Sequence, residues 1–234
     1  PMVNAAGVRS GNRYMQDRRD LNRVFPGRSN GSVTSIVAHT LFTEIRRNCH
    51  YLIYLHTGSF SRSNHPQIRE TAKDETALEL ARHFGLGIVV LSEGPNGSIR
   101  REAGDIGIPA IIYEAGEPSR FDLDQIAAGV QGIESVMAYL RMIEGGKQIE
   151  VPESRIYTQT TWVRVPVGAG GYFFPTVSLG QAVSSGDRLG TIIDPLTDRY
   201  TAVTASHSGE VIGLAVAQIV LSGYALVHLG VQHR

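Results

Sequence analysis

Apolar residues recur at helical spacing from Ser32 onward, where Val33, Ile36, Val37, Leu41, Phe42 and Ile45 share one face of SVTSIVAHTLFTEIRR and Ser32 stands as N-cap. The pattern then shifts to short continuous runs. YLIYL at 51 to 55 is too short for a helix and reads as a buried strand. DETALELARHFG, from Asp74 to Gly85, returns to helical spacing with an acidic cap and a glycine stop. GIVVLS at 87 to 92 predicts a strand, SIRREAGDIG at 98 to 107 a short helix, and PAIIYEAG at 109 to 116 another strand. From Asp122 to Gly146 the spacing predicts a long helix with Ile126, Val130, Ile133, Met137 and Leu140 on one stripe. Strands alternating with helices predict an α/β fold with a mainly parallel sheet and helices on both faces, whose ligands bind beyond the carboxyl ends of the strands.

After Gly145 and Gly146 helical spacing gives way to short β-like segments rich in Gly and Thr, which sets domains at 1–146 and 147–234. VSSGDRLGTI at 183 to 192 and VLSGYALVHL at 220 to 229 align in register, a weak repeat that predicts a small C-terminal β-barrel or sandwich. This module is similar to the biotinyl/lipoyl half-barrel. Those carriers attach their cofactor to a lysine, and the stretch from 183 to 229 contains none, so a swinging-arm role is excluded and a structural or subunit-contact role remains.

The 234 residues are 42% hydrophobic, enough to bury a core. Lys+Arg and Asp+Glu are both 22, with no long run of one sign, which argues against a nucleic-acid or membrane-surface partner. The single cysteine, Cys49, cannot form an internal disulfide, and no apolar run approaches the roughly 18 residues a membrane helix takes. A cytoplasmic protein is expected, and nothing opposes its being a homo-oligomer. PMVNAAG at the start reads as an apolar strand end, an entry into the middle of a fold.

The nearly thirty residues before Ser32 lack periodicity, and loops of that length are usually functional or disordered. DRRDLNRVFPG, at 17 to 27, carries enough apolar residues for an ordered one. Within it Asn22 and Arg23 are adjacent donors able to grip a carboxylate, and Arg13 is a third candidate; a salt-bridged surface loop is the alternative. His56 ends the strand YLIYL at a turn and is either a ligand or a surface histidine. Glu114 interrupts an apolar strand near its carboxyl end, where an acid is costly unless paired or used as a general base; pointing to water is the other reading.

Together these elements resemble the succinylglutamate desuccinylase/aspartoacylase group of the zinc carboxypeptidase clan. Its Asp-Leu-Asn-Arg-x-Phe-Pro-Gly loop stands at Asp20 to Gly27, its Leu-His-Thr-Gly strand end at Leu55 to Gly58 and its Glu-x-Gly strand at Glu114 to Gly116, with the likeness running from Pro1 to about Leu140. The resemblance implies a zinc-dependent amidohydrolase, a deacylase of an N-acylated amino acid or related small carboxylate. It makes His56 a Zn2+ ligand, Glu114 the general base, Arg13 the oxyanion stabiliser, and Asn22 with Arg23 the substrate-carboxylate clamp. Arg100 is a weaker substrate-binding candidate that reads more readily as a surface helix charge.

Two departures bear on this. Tyr54 stands where the family pattern usually has Asp two residues before the zinc histidine. The family's His-x-x-Glu ligand pair is missing from Pro1 to Ala205; the one instance, His207 to Glu210, falls in the β module in the wrong order. The expectation is a chain without the first strand, helix and metal-binding loop, or else a relative that has lost its metal. The competing functions are a zinc carboxypeptidase acting on peptides and a metal-free carboxylate-binding or assembly protein. His39, His50, His65, His83, His228 and His233 have no partners at ligand spacing and read as structural or surface residues.

Overall fold

The structure, a computed structural model, describes residues 3–71, 74–144, 153–216 and 219–231. The expected boundary between residues 146 and 147, and His233, lie outside the described residues. In chain order the elements are α1 (Ala5–Ser10), a 3-10 turn (Leu21–Arg23), α2 (Val33–Asn48), β1 (Leu52–His56), β2 (Arg62–Glu70), α3 (Glu75–Phe84), β3 (Ile88–Leu91), α4 (Ile99–Asp105), β4 (Ala110–Gly116) and α5 (Leu123–Tyr139). Strands follow to the end: β5 (Arg155–Tyr157), β6 (Thr160–Arg164), β7 (Gly171–Pro175), β8 (Ala182–Val183), β9 (Arg188–Asp194), β10 (Arg199–Thr204), β11 (Gly209–Ala215), β12 (Ile219–Val220) and β13 (Ala225–Val231). The result is a mixed α/β fold.

A nine-stranded sheet runs in the order β1-β4-β2-β11-β13-β6, with β3 pairing β2 and β5, and β8 pairing β11. The β3–β5 pair is parallel, whereas β11 lies antiparallel to β2, β8 and β13, and β13 antiparallel to β6. The later strands therefore extend the sheet that the first half begins. A second, four-stranded antiparallel sheet has the order β10-β9-β7-β12. The aligned stretches at 183 and 220 share one local design: Asp187 N donates to Ser184 O, Tyr224 N donates to Leu221 O, and each turn carries a glycine at positive φ, Gly186 at 92° and Gly223 at 80°. Each turn then feeds a long strand, β9 or β13.

By internal contacts the chain forms two compact units. The first comprises Pro1–Tyr54, Glu70–Ala81 and Ser92–Ile112. Its core gathers Phe25 from the long loop, Ala38, Phe42 and Ile45 from α2, Ile99 and Ala103 from α4, and Ile108 and Ala110, with Leu21 and Val24 packed against them. Three apolar loop residues are thus anchored, which orders a segment without periodicity. Of the strand end expected at PMVNAAG, Pro1 and Met2 lie outside the described residues; from Ala5 the chain forms the helix α1, closed by Asn4 accepting from Gly7 N and by Gly11 at φ 62°. One and a half turns are too short to show a helical period.

The second unit comprises Leu55–Arg69, Arg82–Leu91 and Tyr113–Arg234. Its main core packs Phe173, Leu189, Ile192, Val211, Leu226, Val227 and Leu229 among other buried residues. An apolar helical stripe ordinarily faces a core. In α5 the buried face is instead Gly129, Gly132, Ser135 and Val136, and Ile126 and Val130 are exposed. The reason lies in the partners: a Cβ on Gly132 would stand 2.1 Å from the Phe84 ring and one on Gly129 2.9 Å from the Tyr113 ring. These two stacked aromatics, 5.3 Å apart, occupy the space that larger helix side chains would need. The helix also ends at Tyr139, short of the expected Gly146.

Candidate active site

β4 is buried along nearly all its length, so the sheet itself carries Glu114 into the interior with 9% of its surface exposed. Its carboxylate is engaged on both oxygens. Asn64 Nδ2 donates to Oε2 at 2.7 Å, while Arg69 Nε and His56 Nδ1 each lie 3.8 Å from Oε1. The turn after His56 is fixed to the end of the same strand by Gly58 N donating to Gly116 O at 3.0 Å. A Cβ on Gly58 would meet Arg62 O at 2.0 Å, so glycine is what lets the Arg62 carbonyl pack against this turn. The structure therefore brings His56 and Glu114 together and adds Asn64 and Arg69.

Neither addition was visible in the sequence, because β2, RSNHPQIRE, does not alternate. Asn64 and Arg69 both reach Glu114 although five residues apart, an odd separation that strict alternation would send to opposite faces. Pro66, which has no amide to give a ladder, stands between them. The signal that was available is weaker: a polar stretch held between the strand end at His56 and the next predicted helix.

The loop residues of the first unit have internal partners. Asp17 accepts from Thr34 N at 3.1 Å and from the Thr34 hydroxyl, and the hydroxyl bond holds its carboxyl down to about 2. Asp20 accepts from Asn22 N at 3.0 Å and pairs with Arg13 through Nε and Nη2, at 3.0 and 2.8 Å. Both acids of DRRDLNRVFPG are thus used within the loop and its neighbouring helix. Asn22 Oδ1 accepts from Ile99 N at 2.9 Å, capping α4 in place of Ser98, whose side chain makes no cap bond. That leaves the Asn22 amide hydrogens for a ligand. Arg23 is exposed and donates to Asn22 O at 2.6 Å. Phe25 N donates to Gly97 O, and a Cβ on Gly97 would lie 2.3 Å from Arg23 O, so a glycine again allows two backbones to meet.

Arg100 corrects the expectation of a surface helix charge. It is only 2% exposed, because Ile99 and Ala103 bury this side of α4, and its Nη2 donates to Ser92 Oγ at 3.1 Å. Burial pushes the Glu70 carboxyl up to about 7; Arg100 pulls it down and Asp74 adds to the rise.

Among the described residues no group of three or more His, Cys, Asp or Glu side chains could hold a metal ion. His207 and Glu210 do not converge on one: His207 is exposed beside Ser206, while Glu210 is buried, accepts from Tyr157 OH at 2.6 Å and forms an ion pair with Arg155 Nε at 3.1 Å. A catalytic zinc generally takes three protein ligands, and the described residues offer His56, so by themselves they do not fit one. Among them, too, no helix is long and apolar enough to cross a membrane.

A family model described as the succinylglutamate desuccinylase/aspartoacylase catalytic domain matches residues 1–140. A succinylglutamate desuccinylase/aspartoacylase from Rhodobacter sphaeroides superposes with a TM-score of 0.87 at 23% identity, over 97% of this chain and 72% of that one. The product-bound ectoine utilization protein EutE (DoeB) from Ruegeria pomeroyi gives 0.86 at 21% identity, over 98% and 73%. An aspartoacylase family protein from Mesorhizobium loti gives 0.79 at 20% identity, over 99% and 73%. No curated protein sequence matches this chain. With the family match spanning more than half of the sequence and the fold shared over nearly all of it, the chain belongs to the succinylglutamate desuccinylase/aspartoacylase family.

Proposed function

We propose that this chain carries the general base and the carboxylate clamp of a zinc-dependent amidohydrolase that deacylates an N-acylated amino acid or a related small carboxylate. The observation that supports it most is Glu114, an acid near the carboxyl end of an apolar strand, with Oε2 accepting from Asn64 and Oε1 at ion-pair distance, 3.8 Å, from both His56 and Arg69. In this reading Glu114 accepts a proton from the water whose oxygen attacks the amide carbonyl carbon. It passes that proton to the nitrogen as the C–N bond breaks, leaving a carboxylic acid and a free amine. His56 would be one ligand of the zinc, which would supply Lewis-acid polarisation of the carbonyl. In this reading Asn22, through its amide, and Arg23 are the carboxylate-binding residues, and Arg13, paired with Asp20, is the oxyanion stabiliser. Arg100, being buried, contributes to substrate binding only through a neighbouring group.

The exposed free thiol of Cys49 supports a reducing, cytoplasmic setting, and the balanced charge supports a small-molecule substrate over a nucleic acid or a membrane. The test measures zinc per chain by atomic emission on the protein expressed from its own reading frame, followed by amine release from N-acetyl and N-succinyl amino acids and residue release from peptides. About one zinc with amine release from the N-acyl amino acids is the expected result. Release from peptides alone would make the protein a carboxypeptidase. Carboxylate binding without zinc or turnover would make it a binding protein.

A further inference from the structure

Asn64 belongs to a row of side chains that crosses the second unit's sheet, and a glycine makes the row possible. In the strand register Asn64 of β2 faces Gly213 of β11, Gly213 faces His228 of β13, and His228 faces Trp162 of β6. A Cβ on Gly213 would stand 3.1 Å from Asn64 Oδ1, 3.1 Å from the His228 Cβ and 3.5 Å from the Trp162 ring. Three larger side chains therefore lean over the one position that has none.

The far end of the row is closely packed. His228 stacks on Trp162 with ring centroids 4.3 Å apart and 3° between planes. Arg62 lies over Trp162 and over Tyr224, at 5.2 and 4.6 Å, and donates to Ala225 O and Ser59 O. The β11–β13 register shifts between Val211 and Gly213, as at a bulge, and the Ile212 carbonyl accepts from Gln67 Nε2 at 2.9 Å. Gln67 is fully buried and also donates to His65 O, so β2 is tied to the bulge three residues beyond Asn64.

We propose that Asn64 is the positioning residue for Glu114, and that Gly213 is the gap that sets where Asn64 stands. The inference rests on the reading of Glu114 as general base. A carboxylate can rotate about its last bond and present either oxygen to the reacting water. The 2.7 Å bond from Asn64 engages Oε2, leaving Oε1 on the side of His56 and Arg69. Asn64 is 6% exposed, with the stacked pair across Gly213 from it, so it has little room to let that oxygen go. Charge-assisted hydrogen bonds of this kind, and the orientation they impose, affect rate rather than substrate affinity.

The experiment uses the protein from its own reading frame and an N-acetyl or N-succinyl amino acid that it hydrolyses. Asn64→Ala and the isosteric Asn64→Asp are expected to lower kcat by about ten- to a hundredfold, with KM changed less than about twofold. Gly213→Ala, whose new methyl presses on Asn64 Oδ1, is expected to lower kcat several-fold in the wild-type background and to have no further effect in Asn64→Ala. A readout apart from turnover is the proton resonance of the Asn64 side-chain amide, assigned by its loss in Asn64→Asp. It is expected downfield and to move in both Glu114→Gln and Gly213→Ala. Unchanged kcat in the Asn64 variants, or an Asn64 amide signal indifferent to Gly213→Ala, overturns the proposal. If Glu114→Gln is inactive while Asn64→Ala is not, the positioning role alone falls; if Glu114→Gln keeps turnover, the reading of Glu114 falls and the proposal with it.

Discussion

Two helix glycines should respond to the same substitution with opposite signs. In a helix interior Ala is favoured over Gly by about 1 kcal/mol, so an unobstructed Gly→Ala change stabilises. A methyl group added at Gly104 in α4 would meet nothing within 4 Å, and Gly104→Ala should gain about 0.5–1 kcal/mol. At Gly132 the same methyl would sit 2.1, 2.3 and 2.6 Å from three atoms of the Phe84 ring. Phe84 is 1% exposed and stacked against Tyr113, so the ring has no open side into which to move. Overpacking of this kind costs about 1–3 kcal/mol, and the depth of the overlap puts Gly132→Ala at the upper end. After the helix gain is subtracted, a net loss of about 1–2 kcal/mol remains, and the two variants should differ by about 1.5–3 kcal/mol. Urea titrations followed by circular dichroism and by the fluorescence of Trp162 would measure both midpoints and check that the two probes coincide. A Gly132→Ala midpoint at or above wild type would refute the account of how α5 docks.

Glu70 should make stability fall with pH. Its carboxyl is raised from an ordinary 4.5 to about 7, so between those values the folded chain holds a proton that the unfolded chain has lost. The stability this group contributes is full below pH 4.5 and is lost as pH rises to about 7, at most about 3 kcal/mol, so Glu70→Gln should gain on wild type over that window in urea titrations at pH 5 and 8. A constant gap would contradict the burial argument. Asn22 should show two separable functions. Asn22→Ala removes the acceptor that caps α4 and should cost about 1 kcal/mol, whereas Asn22→Asp keeps the cap but loses the amide, so it should retain stability while raising KM for an N-acyl amino acid.

What the sequence revealed depended on whether a short range of residues carried the signal. The helix from Ser32 and the strands at 87 and 109 have their own periodicity, and the structure forms them at Val33–Asn48, Ile88–Leu91 and Ala110–Gly116. β2 stayed hidden because its polar residues are satisfied across the sheet: Asn64 by Glu114, Gln67 by the Ile212 carbonyl. The α5 stripe misled for a related reason, since the rings of Phe84 and Tyr113 select a glycine face and no helix sequence encodes its partner's bulk. Arg100 reads as a surface charge because nothing in SIRREAGD announces that Ile99 and Ala103 carry it inward. In the candidate site, His56 and Glu114 were legible because one ends an apolar strand and the other interrupts one near its carboxyl end; Asn64 and Arg69 were not, because their partner lies on a different strand, about fifty residues along the chain.

The most direct test of the functional account is single-turnover hydrolysis of an N-acyl amino acid by Glu114→Gln, with zinc per chain measured on the same sample. The substitution keeps the size of the side chain and removes the group that takes the proton. The account predicts metal content equal to wild type and turnover lowered about a hundred- to ten-thousandfold. Wild-type turnover with wild-type zinc would contradict it, by showing that the carboxylate beside His56 takes no part in the reaction.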